Sequence, residues 1–285
     1  MNKYDRYIEL MKAEQDSHGF IQSSHCDSTL FSGLIGCLPE VNVDLTAAFI
    51  DGFWHRRSNI HKPCFDMEQN VGNGSASSIS RDMLLGVAYW CWYNKRGDVA
   101  EQIVVHAMKH MGFMGKAEDL KALWGRTQIL PGLFATFCWI SYKLGGPCRW
   151  WAMWIPADSG HKTDNYAAHL QILHILLRKE IAGFTFWFEN AILKYHVNRQ
   201  PLNPLYHIAV GDYEKASRIL DERIDWWPDD RLPTNFDRET EWIPMRDSYE
   251  KGWNSISVKP GRKVEQVHSG GDYLFCKWLI NKGIK

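Results

Sequence analysis

The chain has 285 residues, enough for one large domain, and its 33 basic and 33 acidic residues cancel. That balance removes the net positive field expected of a nucleic-acid or anionic-membrane binder, and no run approaches the ~18 apolar residues of a membrane span. Seven cysteines occur without a CxxC pair, and four of them (Cys37, Cys91, Cys138 and Cys276) lie inside apolar runs; this pattern fits small buried hydrophobes better than a disulfide framework or a zinc site.

In chain order, Tyr4, Tyr7, Ile8 and Met11 predict an amphipathic helix over 3–16. Asp27 opens an apolar run to Leu38 that Pro39 stops, and a more amphipathic helix is expected from Asp44 to about Phe53. Residues 54–79 read as a long loop carrying Trp54-His55-Arg56-Arg57, then Asp66 and Glu68. Ser80 or Asp82 opens an apolar helix to Tyr93, and Asp98 opens an amphipathic one to Met111. Residues 128–144 form a third apolar helix; 164–179 and 184–197 follow, split at Gly183, then 203–210 and 212–223, split at Gly211. The stretch 225–270 is rich in Pro, Asp, Arg and Trp, and the chain closes with a helix over 272–282. Strand signals are nearly absent, apart from a short hairpin expected within 254–268. The reading is one all-α domain over 1–285, cytoplasmic by default because the N-terminus has no apolar signal core. Most of the 14 Trp are expected to build core; Trp54, Trp150, Trp151, Trp154, Trp226, Trp227, Trp242 and Trp253 lie in or beside segments with loop signals.

Six of the apolar runs start alike, with a polar residue at the mouth: Asp27, Asp82, Gln128, Asp164, Asn203 and Asp272. Asp or Asn in that place marks a helix start, since its side-chain oxygen accepts orphan backbone N–H groups. The starts are separated by 55, 46, 36, 39 and 69 residues, too irregular for a solenoid of strict repeats. Six apolar helices with polar tips and more amphipathic partners resemble the (α/α)6 toroid of the six-hairpin glycosidase superfamily. The resemblance implies a ring of helical hairpins with long loops at one face, and a carbohydrate substrate held there.

That resemblance directs attention to carboxylates, because glycoside hydrolysis needs two of them about the scissile bond. A helix N-terminus favours the ionised form, so Asp82 or Asp27 is expected as base and the loop residues Glu68 or Asp66 as acid. His25, beside Asp27, is a further base or hydrogen-bonding group. Trp54, His55 and Arg57 combine a stacking face with cations suited to sugar carboxylates, and Asp164, Tyr166, Asp272 and Trp242 complete the expected sugar-binding set. His106 and His110 have the i, i+4 spacing of metal ligands, but no HExxH accompanies them, so no metal or cofactor is expected. The primary expectation is a glycoside hydrolase acting on a poly- or oligosaccharide through paired carboxylates. The alternatives are a polysaccharide lyase, in which His25, Tyr166 and Arg57 act on a uronate, and a non-enzymatic helical binding protein.

Overall fold

The computed structural model describes residues 2–21, 28–58, 79–115, 128–157, 165–199, 201–233 and 270–283. The helical periodicity of the sequence appears there as α1 (Lys3–Ala13), α2 (Ser28–Ile35), α3 (Arg81–Tyr93), α4 (Gly97–Lys109), α5 (Pro131–Lys143), α6 (Asn165–Ala182), α7 (Trp187–Arg199), α8 (Pro204–Val210), α9 (Tyr213–Asp225) and α10 (Gly271–Lys282). The strands among the described residues are a single two-residue pair, β1 (Phe49–Ile50) and β2 (Phe53–Trp54). The class is all-α. No helix among these residues is long and apolar enough to cross a membrane.

Two kinds of helix follow from two kinds of sequence. In α2 every residue is buried, as are Met83 through Cys91 of α3, Pro204 through Ala209 of α8 and Gly271 through Cys276 of α10. A helix apolar all round must be surrounded by protein. By contrast α1 buries only Tyr7, Ile8 and Met11, and α9 only the stripe Ala216, Ile219, Leu220, Arg223 and Ile224. The buried helices pack on one another: α2 on α3, α3 on both α5 and α6, α5 on α6, α6 on α8, α8 on α10, and α10 back on α2. The amphipathic helices lie against them, α4 on α5, α7 on α8 and α9 on α8 and α10.

Cross-contacts advance in the same sense along paired helices and so give their direction. Leu30 of α2 meets Gly86 of α3, while Gly36 just beyond α2 meets Trp90 and accepts a hydrogen bond from Asn94 Nδ2 at 2.7 Å. Tyr89 of α3 lies against Phe275 of α10, and Tyr93 against Trp278. Tyr89 also donates to Leu173 O of α6 at 2.8 Å, and Tyr93 hydrogen-bonds Glu180. Thr136 of α5 bonds His174 of α6 at 2.8 Å, and Trp139 lies by Ile181 and Ala182. Thus α2, α3, α5, α6 and α10 run parallel, with their first turns at one end.

The α2–α3 crossing is backbone on backbone. A Cβ on Gly33 would lie 2.5 Å from Gly86 O, and one on Gly86 would lie 2.7 Å from Leu30 O. Only glycine admits this approach.

Three local expectations are corrected. The helix expected over 44–53 is one 3-10 turn, Leu45–Ala48, capped by Asp44, followed by the β1–β2 hairpin. The cause is Asp51-Gly52, where both residues take positive φ (52° and 82°), as a tight hairpin turn between flanking apolar residues requires. Helix α1 stops at Ala13, not at 16, because Asp16 Oδ1 accepts the N–H groups of His18 and Phe20 at 2.9 Å and folds the chain into a turn. Gln128 does not open α5: it forms a bridge with Phe113, and the helix begins at Pro131, whose missing N–H belongs at a first-turn position. The hairpin expected within 254–268 lies outside the described residues.

Cys37, Cys91, Cys138 and Cys276 are buried free thiols, as expected, and Cys148 is exposed. Burial raises all four buried thiols, Cys138 to about 12, which leaves them protonated packing groups.

Candidate functional site

The end where the parallel first turns gather carries the polar residues that the sequence marks. Asp82 and Asp272 occupy equivalent positions, each the second residue of its helix. The Oδ1 of Asp82 accepts Met83 N–H at 3.1 Å and that of Asp272 accepts Tyr273 N–H at 2.9 Å. Neither is an N-cap. The cap positions are Ser80 and Gly270, and the Ser80 hydroxyl is turned onto the Asp82 carboxylate instead of a backbone amide. Asn203 does cap its helix, accepting Leu205 N–H at 3.1 Å. The three differ in access: Asp82 is partly exposed, whereas Asp272 and Asn203 are completely buried.

The β1–β2 hairpin delivers the next group. Thr29, at the start of α2, donates its N–H to Arg56 O and its hydroxyl to His55 O, both at 3.0 Å. His55 is held in turn by Ile50 O, 3.0 Å from its Nε2. This strap brings Arg57 to the first turn of α2, where it is 4 % exposed and burial lowers its pKa, with Arg56 adding to the effect. Trp54 does not present a stacking face: it is fully buried, its ring 5.5 Å from Phe49 and its backbone N–H bonded to Met114 O. An indole sealed on both faces is core, and the sugar-stacking expectation for Trp54 is corrected accordingly.

Of the remaining expected residues, Tyr166 lies in the first turn of α6. His25, Asp27, Asp66, Glu68, Asp164 and Trp242 lie outside the described residues.

The start of α10 is fixed by aromatic packing. Trp227 stands edge-on to both Tyr7 of α1 and Tyr273 of α10, with centroids 4.8 and 5.7 Å away. Its six-membered ring fills the space in which a Gly270 Cβ would sit. Helix α1 therefore positions Asp272 through Trp227 and Tyr273. The sequence marks Trp227 only as a tryptophan beside a loop segment and does not mark Gly270, since their meeting is purely tertiary.

The His106–His110 pair is aromatic packing. The imidazoles stack at 4.3 Å, Phe53 lies edge-on to His106, and His106 Nε2 is 3.1 Å from Phe113 O. Burial, and then His110, lower the pKa of His106. Among the described residues no group of three His, Cys, Asp or Glu side chains is placed to hold a metal.

Between α5 and α6, His174 is buried against Thr136, and burial together with Arg178 lowers its pKa from 6.5 to about 3. The unfolded chain thus binds a proton that the folded chain refuses between those values. Stability from this group is complete above pH 6.5 and declines as pH falls toward 3, by at most about 1.4 kcal/mol per pH unit. A His174→Gln variant is expected to show a shallower loss of stability below pH 6.5 in urea titrations; an unchanged slope would assign the acid sensitivity elsewhere.

No family model, curated protein or solved structure matches this chain.

Proposed function

We propose that α2, α3, α5, α6, α8 and α10 are the inner helices of an (α/α)6 ring, and that the chain is a glycoside hydrolase acting on a poly- or oligosaccharide at the N-terminal end of that ring. The order of packing supports the ring, because the last buried helix lies against the first. The observation that carries the enzymatic reading is the accessible carboxylate of Asp82 in the first turn of α3, at the end where the parallel first turns gather. A glycoside hydrolase needs a second carboxyl group as its acid. Asp82 is assigned as base or nucleophile, since it is accessible and stands at a helix N-terminus. Asp272 is completely buried and is assigned to holding the first turn of α10, not to touching sugar. The acid is drawn from Asp66 and Glu68, and Asp27 and His25 stand beside the first turn of α2 in sequence.

The test is turnover on neutral and uronate-containing polysaccharides, reading reducing ends. Asp82→Asn is expected to lower the rate by about 10²–10⁴ while the urea midpoint stays near that of the wild type, because Asp82 does not cap its helix. Full activity in this variant would sink the assignment.

Arg57 favours a second reading. A buried guanidinium at this end suits a carboxylate-bearing sugar, as a uronate lyase would need; such a reaction leaves an unsaturated product absorbing in the near ultraviolet, and Arg57→Lys would abolish it.

A further inference from the structure

The segment linking α5 to α6 forms a 3-10 turn, Trp150–Trp154, that packs on α5. Trp150, Trp151 and Trp154 are 64, 40 and 60 % exposed, and Trp187 at the start of α7 is 82 % exposed. In a 3-10 turn residues three apart eclipse each other, so Trp151 and Trp154 share one side. Trp151 is backed by Phe134, whose ring lies nearly parallel to it at 6.3 Å.

One ion pair ties the two tryptophan segments together. Arg178 donates to Glu189 at 2.6 Å and to Met153 O at 3.2 Å, while Glu189 accepts the N–H groups of Ala157 and Phe186 at 2.9 and 2.8 Å. Trp154 and Trp187 each adjoin in sequence a residue held by this pair, which ties their two segments together.

We infer that this surface, which does not include Asp82, binds a chain of neutral polysaccharide. Three observations select that ligand. The exposed groups are flat indoles, suited to the C–H faces of pyranose rings, and exposed Asn190 beside Trp187 adds an amide for hydroxyl groups. Arg178 is paired with Glu189 and Arg149 with Glu101, so these two guanidinium groups are neutralised within the protein. The exposed indole area, roughly 400–600 Å² at ~150–250 Å² per side chain, is below the ~800 Å² per partner of a stable protein interface. The inference rests on the carbohydrate reading above for its class of ligand.

The experiment is affinity electrophoresis of the full chain in native gels containing dextran, galactomannan or xyloglucan, with polygalacturonate as the charged comparison. At least one neutral polymer should retard the wild type. Trp154→Ala/Trp187→Ala should weaken that binding about tenfold, and Trp226→Ala, which removes an exposed indole elsewhere, should leave it unchanged. The inference is overturned if no neutral polymer retards the protein, if the double variant is retarded equally, or if sedimentation shows a wild-type dimer that the double variant dissolves. Asp82→Asn separates the two readings. Tryptophan-dependent retardation without turnover on any polymer would remove the hydrolase and keep the surface; turnover without it would do the reverse.

Discussion

Replacing Glu189 with alanine is expected to lower the free energy of unfolding by about 3–5 kcal/mol, seen as a large fall in the urea midpoint with little change in slope. The side chain is 1 % exposed and its partner Arg178 is 5 % exposed. Truncation strands a buried guanidinium whose pKa burial already lowers, and leaves the amides of Ala157 and Phe186 without their acceptor. Orphaned donors of that kind add roughly 1–3 kcal/mol each when water cannot reach them. Glu189 is also the third residue of α7 and bonds back to the N–H preceding that helix, which is half of a capping box. The double variant Arg178→Met/Glu189→Leu should recover part of the loss by removing both charges, but not all of it, because the two amides stay unsatisfied. A Glu189→Ala variant within 1 kcal/mol of wild type would mean that water enters this interior.

The second large effect is expected at the α2–α3 crossing. Gly86→Ala gains roughly 0.5–1 kcal/mol of helix propensity, yet its methyl group would stand 2.7 and 2.8 Å from Leu30 O and Leu30 Cα. Backbone atoms cannot rotate away, so the helices must part. The net result should be a loss of about 1–2 kcal/mol, rising to about 3 kcal/mol for Gly86→Val. Asp82 lies one turn before Gly86 on the same helix, so the displacement reaches the helix tips and turnover should fall further than stability alone explains. If Gly86→Ala is as stable as wild type, the two helices do not approach as closely as their glycines suggest.

These cases mark the division between what was legible in the chain and what was not. Helix identity was legible at α3, α4, α8, α9 and α10, because the 3.6-residue pattern of apolar positions is local and each run has a punctuating residue at its end. The contrast between helices buried all round and helices with one apolar stripe was legible for the same reason. At Asp51-Gly52 a local signal was present and was outweighed by the apolar pattern around it, although the turn dipeptide alone specifies the hairpin.

The candidate site divides along the same line. Composition marked Asp82, Arg57 and Asp272 as chemically capable, but their exposure depends on which neighbours cover them. The same is true of Trp54, sealed by Phe49, and of Trp187, which the pattern placed inside a helix and the fold leaves open to solvent. Sequence by itself determined the all-α class, the order of the helices and the polar character of their first turns, since these follow from interactions over a few residues. Only the tertiary structure decided that Gly33 meets Gly86, that Trp227 seats the start of α10, that Glu189 closes on Arg178, and that five indoles among the described residues remain exposed. Each of these joins residues from separate elements, and burial is a property of the pair that touches, not of either residue alone.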